Sequence, residues 1–159
     1  MKSRNAGQFL IFIGAASVLF SSVWVTNYGV INRNITQSLP NSYFYISYRT
    51  VISERYQYVQ FWTRNDKFFG TLKFTKQVMG LPGDKIIVKN HEVWINGLYV
   101  GNIKSHTQNG LPLEPIQSGV IPPDYYYVAG KHPDSYDSRY NSLGLIHEDQ
   151  IIGRAYPIF

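Results

Sequence analysis

Leu72-Lys73-Phe74-Thr75-Lys76-Gln77-Val78, followed by Met79-Gly80-Leu81-Pro82-Gly83-Asp84, decides how the rest of this 159-residue chain is read. The two-residue period of a strand places Leu72, Phe74, Lys76 and Val78 on one face and Lys73 on the other. Lys76 therefore points with the apolar side chains, and Lys73 with the polar ones. Apolar surroundings disfavour an ammonium, and depressing a lysine by ~3 from its reference near ~10.4 corresponds to roughly 4 kcal/mol. A neutral amine at working pH is a competent general base. The competing account is a lysine at a sheet edge whose stem lies along apolar surface and whose head reaches water. The turn Gly80-Leu81-Pro82-Gly83-Asp84 holds the strand end. It lacks the Gly-Lys-Ser/Thr ending of a phosphate loop.

On either side the pattern stays extended. Tyr43–Tyr48, Tyr58–Trp62, Gly70–Val78, Lys85–Lys89 and Glu92–Ile95 alternate and are rich in aromatic and β-branched residues, and helical periodicity is poor. Turn signals separate them at Arg64-Asn65-Asp66, Leu81-Pro82-Gly83-Asp84, Lys89-Asn90-His91, Asn96-Gly97 and Pro122-Pro123-Asp124. Asn96-Gly97 between two apolar runs predicts a hairpin, because both positions tolerate the positive φ of a type I′ turn. Residues Asn102 to Gly119 are polar and loop-like. The expectation is a mainly β domain.

Upstream, no charged residue occurs between Arg4 and Arg33, and Phe9 to Val25 reads FLIFIGAASVLFSSVWV, long enough to span ~30 Å of hydrocarbon as a helix. Trp24 and Tyr28 fall where an interfacial aromatic belt would lie. A cleaved leader is the alternative, with Lys2 and Arg4 ahead of the core and Ala15, Ala16, Ser21 and Ser22 as small residues. The core is longer than the usual range of about 7–15 residues and ends without a small-x-small site, so an uncleaved anchor is preferred. Lys2 and Arg4 favour an inside N-terminus. The expected division is a cytoplasmic N-terminus and transmembrane anchor over residues 1–32, with an exported catalytic β domain over residues 33–159.

Composition narrows the chemistry. There is no cysteine, which excludes disulfides, thiolate metal sites and a cysteine nucleophile. The net charge of +5 comes from scattered residues with no basic run, so no nucleic-acid partner is expected. The lipid bilayer is the expected partner of the N-terminal third, which has no acidic residue before Glu54.

A lysine base needs a nucleophile. Asn34-Ile35-Thr36-Gln37-Ser38-Leu39-Pro40 offers two hydroxyls two residues apart, or else a solvated linker ending in a turn at Pro40. Farther on, Ala129-Gly130-Lys131-His132-Pro133-Asp134-Ser135-Tyr136-Asp137-Ser138-Arg139-Tyr140 contains Asp137 and Arg139 as a possible charge pair, with Ser135 or Ser138 as hydrogen-bonding neighbours. An ordinary polar loop is the alternative there. His132 with Asp134 or Asp137 suggests a Ser/His/Asp triad, yet the four histidines lie in loop-like contexts without ligand spacing. No metal and no cofactor is expected.

Together, Thr36-x-Ser38-Leu39-Pro40, then Lys76-Gln-Val-Met-Gly80-Leu-Pro-Gly-Asp84, then Ser135-Tyr-Asp137-Ser-Arg139-Tyr140, with Ile121-Pro122-Pro123-x-Tyr125 in support, resemble the type I signal peptidases. The resemblance is closest to the TraF-like maturation peptidases of conjugative transfer systems. It implies a signal-peptidase-type β domain on a single N-terminal transmembrane helix, in the bacterial cytoplasmic membrane with the catalytic domain on its outer or periplasmic face. It further implies that Ser38 attacks the scissile carbonyl, that Lys76 takes its proton, and that the Ser38 N–H with the Thr36 hydroxyl forms the oxyanion hole. Ser135 would aim Lys76, with Asp137 and Arg139 supporting the loop. Substrates of the family bind as extended strands with small residues before the cut, which makes Ile35, Leu39, Tyr43 and Phe74 candidates for the pocket wall.

Gln77 stands where many signal peptidases have arginine, and Gly-Lys-His-Pro replaces the common Gly-Asp-Asn-Arg, one residue shorter before Asp137. Both departures point to the conjugation enzymes and to a membrane-inserted pilin precursor, with cyclisation as one fate of the acyl-enzyme and other conjugation or secretion components as partners. The alternatives are a housekeeping signal peptidase acting on other preproteins, a self-cleaving regulator of the LexA type and an inactive anchored assembly module.

Overall fold

The computed structural model describes residues 4–35, 38–48 and 52–158, without the side chains of residues 4–9, 20, 24 and 26. Helix α1 (Arg4–Asn27) leads into β1 (Gly29–Arg33), β2 (Tyr43–Ser47), β3 (Tyr58–Trp62), β4 (Lys73–Gly80), β5 (Lys85–Lys89), β6 (Glu92–Ile95) and β7 (Leu98–Asn102). Then come β8 (Gly119–Val120), β9 (Tyr125–Ala129), β10 (Ile146–His147), a short 3-10 helix (Glu148–Gln150) and β11 (Ile151–Pro157). The fold is mainly β, as the alternating segments require.

Two antiparallel sheets result. The larger has the order β1-β2-β11-β3-β4-β9-β10 and the smaller β7-β6-β5-β8. Asn96 and Gly97 take φ of 48° and 82° between β6 and β7, and Asn90 and His91 take 53° and 62° between β5 and β6. These are the positive angles that a type I′ hairpin turn requires. The expected strand starting at Gly70 begins instead at Lys73, because Asp66 and Gly70 exchange backbone hydrogen bonds that close a loop first. Strands β1 and β8 to β11 were not anticipated. The expected boundary between residues 32 and 33 falls inside β1, which pairs with β2 along its whole length.

Register puts the core where the site needs it. Val59 lies opposite Lys76 and Phe61 opposite Phe74, so β3 and β4 turn one face to a cluster of Ile52, Val59, Phe61, Val78, Tyr126, Val128 and Ile146. Their other face meets Leu39, Phe44, Ile46 and Ala155, with Val30, Tyr58 and Ile152 packed on. A third cluster around Ile95, Ile121 and Tyr127 fills the space beside the small sheet.

The run expected to cross a membrane forms α1, with Leu10, Ile11, Phe12, Val18 and Leu19 exposed. Among the described residues no helix is long and apolar enough to cross a membrane. Gly14, Ser17, Ser21 and Ser22 interrupt the apolar run, the three serine hydroxyls bonding back to helix carbonyls. The side chains of Phe9, Phe20 and Trp24 lie outside the described set. A transmembrane helix is therefore not part of what the fold establishes.

Candidate active site

Lys76 sits mid-strand on β4 and is 5% exposed, while Lys73, on the opposite face, is exposed with its Nζ 4.9 Å from the Trp62 ring centre. Burial pushes the Lys76 amine down from 10.5 to about 8; Asp137 opposes the shift and Arg139 adds to it. At that value a substantial fraction is neutral at neutral to mildly alkaline pH, which a base requires. The Lys76 Nζ donates to the Ser135 Oγ at 2.8 Å, in a fully buried hydrogen bond. The Phe74 ring centroid lies 5.6 Å from the same Nζ.

Ser135 is held by the loop that follows β9. The Asp137 carboxylate accepts from the Gly130 N at 2.9 Å, and from the Arg139 Nε and Nη2 at 2.8 and 2.9 Å. The Arg139 Nη2 also donates to the Ser135 carbonyl at 2.8 Å, and its Nη1 to the Asn102 carbonyl at 2.9 Å. Both members of this pair are buried, so their two-pronged pairing and the carbonyls around the guanidinium together offset their desolvation. Ser138 is tied to β9 instead: its Oγ accepts from the Val128 N at 3.1 Å. The pair expected to be structural thus surrounds the backbone of Ser135.

Ser38 lies in the turn after β1 and is 7% exposed. Its carbonyl accepts from the Lys131 N at 2.8 Å, which docks the turn onto the Ser135 loop. Asn34 closes the turn from within, donating through its Nδ2 to the Asn41 carbonyl at 3.1 Å, and Leu39 anchors it in the core. Gly130 marks where these parts meet. A Cβ there would lie 2.1 Å from the Ser135 Oγ and 2.9 Å from the Ser38 carbonyl oxygen, so only glycine lets the two segments approach. The Ser38 main chain is thus brought beside the Ser135 hydroxyl, which in turn holds the Lys76 amine, from three distant parts of the chain.

Thr36 lies outside the described residues. Of the four pocket-wall candidates, Ile35 is 87% exposed, Tyr43 is exposed, Leu39 is a core residue, and Phe74 is half-buried against Phe61 and Phe69. The alternative triad does not assemble. The His132 Nδ1 accepts from the Asp134 N at 3.1 Å, Asp134 pairs with Lys104, and Asp137 belongs to Arg139. Among the described residues no cluster of three or more histidines and carboxylates could hold a metal.

Sequence reading missed Gly130, Asn34 and the Tyr136 contact. The Tyr136 hydroxyl donates to the Asp66 Oδ2 at 2.7 Å, and the other carboxylate oxygen accepts from the Phe68 and Phe69 N–H groups. The β3–β4 loop is thereby tied to the residue following Ser135. A cleft of about 460 Å³ lies beside it, floored by Phe68, Phe69, Tyr136 and Tyr140. Only the bracketing of Tyr136 by Ser135 and Asp137 hinted at this.

Comparison with known proteins agrees with the geometry. Residues 3–159 match the family model described as signal peptidase, peptidase S26. Signal peptidase I of Bacillus amyloliquefaciens is 37% identical over 94 residues, which is 54% of this chain and 50% of that protein. Signal peptidase IB of Staphylococcus aureus strain Mu50 is 36% identical over 97 residues, covering 51% of this chain and 50% of the relative. The chain thus spans about half the length of the curated relatives it matches. A crystal structure of a signal peptidase I from Enterococcus faecalis aligns over 65% of this chain and 97% of that one, with 23% identity and a TM-score of 0.44. With a family match that runs through the Ser38, Lys76 and Ser135 segments alike, this chain belongs to the signal peptidase family, peptidase S26.

Proposed function

We propose that the chain is a membrane-anchored serine endopeptidase that cuts a membrane-inserted precursor through an acyl-enzyme on Ser38. The observation that carries this reading is the buried Lys76, held near 8 by desolvation and aimed by Ser135 at 2.8 Å. Neutral Lys76 takes the Ser38 Oγ proton as the oxygen adds to the scissile carbonyl. The Ser38 N–H and the Thr36 hydroxyl receive the developing negative charge. Collapse expels the new amine, protonated by the Lys76 ammonium, and leaves an ester on Ser38. Water, deprotonated by Lys76, then releases the acid and restores the serine.

Two free edges suit an extended substrate. Strand β1 pairs only with β2 among the described strands, and β4 pairs with β9 only from Gln77 onward, which leaves residues 73–76 open on that side. Adding a peptide strand there would satisfy these edges and lead its carbonyls toward Lys76. The exposed apolar side chains of α1 support residues 1–32 as the single-pass anchor in the bacterial cytoplasmic membrane, with residues 33–159 on its outer face.

The finer reading is a conjugative pilin precursor as substrate, supported by Gln77 after the lysine and by Gly130-Lys131-His132-Pro133 before Ser135. An amine at the far end of the same chain would then resolve the ester into a circular product. The names of the relatives favour a second reading, a housekeeping signal peptidase of broad range. Incubating the full chain in detergent with a pilin precursor and several ordinary exported precursors, followed by mass spectrometry, separates the two. Cleavage of all precursors alike sinks the specialised reading, and a product one water lighter than the linear form reveals the circle. Processing that persists in Ser38→Ala and Lys76→Ala refutes the catalytic assignment, and no cleavage of any precursor by the wild type leaves the inactive assembly module.

A further inference from the structure

Gln60 is 5% exposed and lies in a sheet otherwise packed with aromatic and aliphatic side chains, a placement that the catalytic reading does not use. It stands directly opposite Thr75, and this pair occupies the face turned away from Val59 and Lys76. The Gln60 Nε2 donates to the Thr75 Oγ1 at 3.3 Å, while its Oε1 accepts from the Asn32 Nδ2 at 2.8 Å. Asn32 belongs to β1, where it lies opposite the core residue Phe44. One buried amide therefore bridges the edge strand β1 to the stretch of β4 that immediately precedes Lys76. Both of these strands carry an open edge beside the site.

We infer that Asn32, Gln60 and Thr75 form the polar floor of the substrate groove and select a hydrogen-bonding side chain in the bound precursor. The inference rests on the peptidase reading above and adds the chemistry of what is recognised. A peptide strand laid between β1 and β4 directs every second side chain toward this floor. The floor is polar, in contrast to the Phe44, Tyr58 and Ala155 packing next to it. The two bonds within the trio leave the second amide hydrogen of Gln60, the side-chain carbonyl of Asn32 and the hydroxyl hydrogen of Thr75 with capacity to spare. An alkyl side chain pressed onto that surface would strip these groups of water and give nothing in return. A serine, threonine or asparagine side chain would pair with them. Sites built to hydrogen-bond a substrate group reject the analogue lacking it far more strongly than apolar pockets reject an extra methyl group.

The test uses the full chain in detergent and a set of otherwise identical precursors carrying alanine, valine, serine, threonine or asparagine at each of the last four positions before the cut. Wild-type protein is expected to show, at one of these positions, a kcat/KM at least roughly tenfold higher for a hydroxyl or amide side chain than for alanine or valine. Gln60→Leu, which replaces the bridging amide with an alkyl group of similar size, should invert that ratio. Thr75→Val, at a less buried position, should reduce it and serves if Gln60→Leu does not fold. Equal cleavage of all side chains by the wild type, or an unchanged ratio in the folded variants, overturns the inference while leaving the peptidase reading intact. Absence of cleavage of every precursor by the wild type overturns both.

Discussion

Replacing Lys76 by methionine should stabilise the protein while abolishing its chemistry. Methionine keeps the unbranched length of lysine and removes the ionisable group, so the packing around β4 is largely preserved. The fall of Lys76 from 10.5 to about 8 is caused mainly by burial, and at neutral pH it corresponds to about 3 kcal/mol held against the folded state. The sign follows from proton counting. Between about 8 and 10.5 the unfolded chain holds a proton that the folded chain has released, so wild-type stability rises with pH across that window, and below it the full penalty is present. The variant has no such slope. It does leave the buried Ser135 hydroxyl without its 2.8 Å partner, which costs about 1–2 kcal/mol at every pH. The difference should favour Lys76→Met by about 1–2 kcal/mol near pH 7 and reverse to about 1–2 kcal/mol against it above pH ~10.5. Urea unfolding of the full chain in detergent, followed by tryptophan fluorescence at several pH values, reads this directly. Every other ionisable group is common to both proteins, so its contribution cancels. A Lys76→Met protein less stable than wild type at neutral pH, or a difference that does not change with pH, would refute the idea that Lys76 is a destabilised buried base.

Three further outcomes follow from the same geometry. The kcat/KM for a precursor should rise with pH along a limb centred near 8, because the base acts only when neutral; a flat profile between about pH 6 and pH 9 contradicts it. Gly130→Ala should lower kcat by about a hundredfold with a smaller effect on KM, since its Cβ would lie 2.1 Å from the Ser135 Oγ and displace the group that aims Lys76; kinetics paired with an unfolding curve separate this from loss of fold. Asp137→Asn should destabilise by about 3–5 kcal/mol by leaving the Arg139 charge buried and unpaired, and a change under about 1 kcal/mol in urea unfolding would remove the pair from its structural role.

What was legible in the sequence depended on range. Tyr58–Trp62, Lys85–Lys89 and Glu92–Ile95 were readable to the residue because alternation and hairpin chemistry are local signals. The parity that buried Lys76 and exposed Lys73 is equally local, and the structure shows both placements. Strand β11 was invisible by comparison, although it lies at the middle of the large sheet between β2 and β3. Glycine is needed at Gly153 within it: a Cβ would lie 2.1 Å from the Ser47 carbonyl oxygen of β2, at a point where β11 bulges against β3. Strand β9, Tyr125–Ala129, is buried along nearly its whole length and so shows no alternation at all. The companions of Ser38 followed the same division. Strand parity singled out Lys76 and the family resemblance pointed to Ser135, whereas Gly130 and Asn34 act through contacts that only the folded chain creates.

In the proposed mechanism the base lies on β4 and the two serines on turns, and that placement has a physical reason. A neutral amine must be kept dry, and β4 pairs with β3 through the Lys76 stretch and packs against a continuous apolar cluster, a part of the molecule that resists local opening. Ser38 needs freedom to adjust as the carbonyl it attacks changes shape, and Ser135 to follow the Lys76 amine; turns supply it, provided something limits how far they move. Here that limit is main-chain hydrogen bonding: the Lys131 N–H on the Ser38 carbonyl, and the Arg139 guanidinium on the Ser135 carbonyl. Neither restraint uses a side-chain atom of the reacting groups. The Asp137–Arg139 pair therefore affects catalysis only through the backbone it holds, and Arg139→Lys, which keeps the charge but loses the fork, should leave the pH limb near 8 while lowering kcat. A shifted limb with unchanged kcat would instead mean that the pair acts on the Lys76 amine electrostatically.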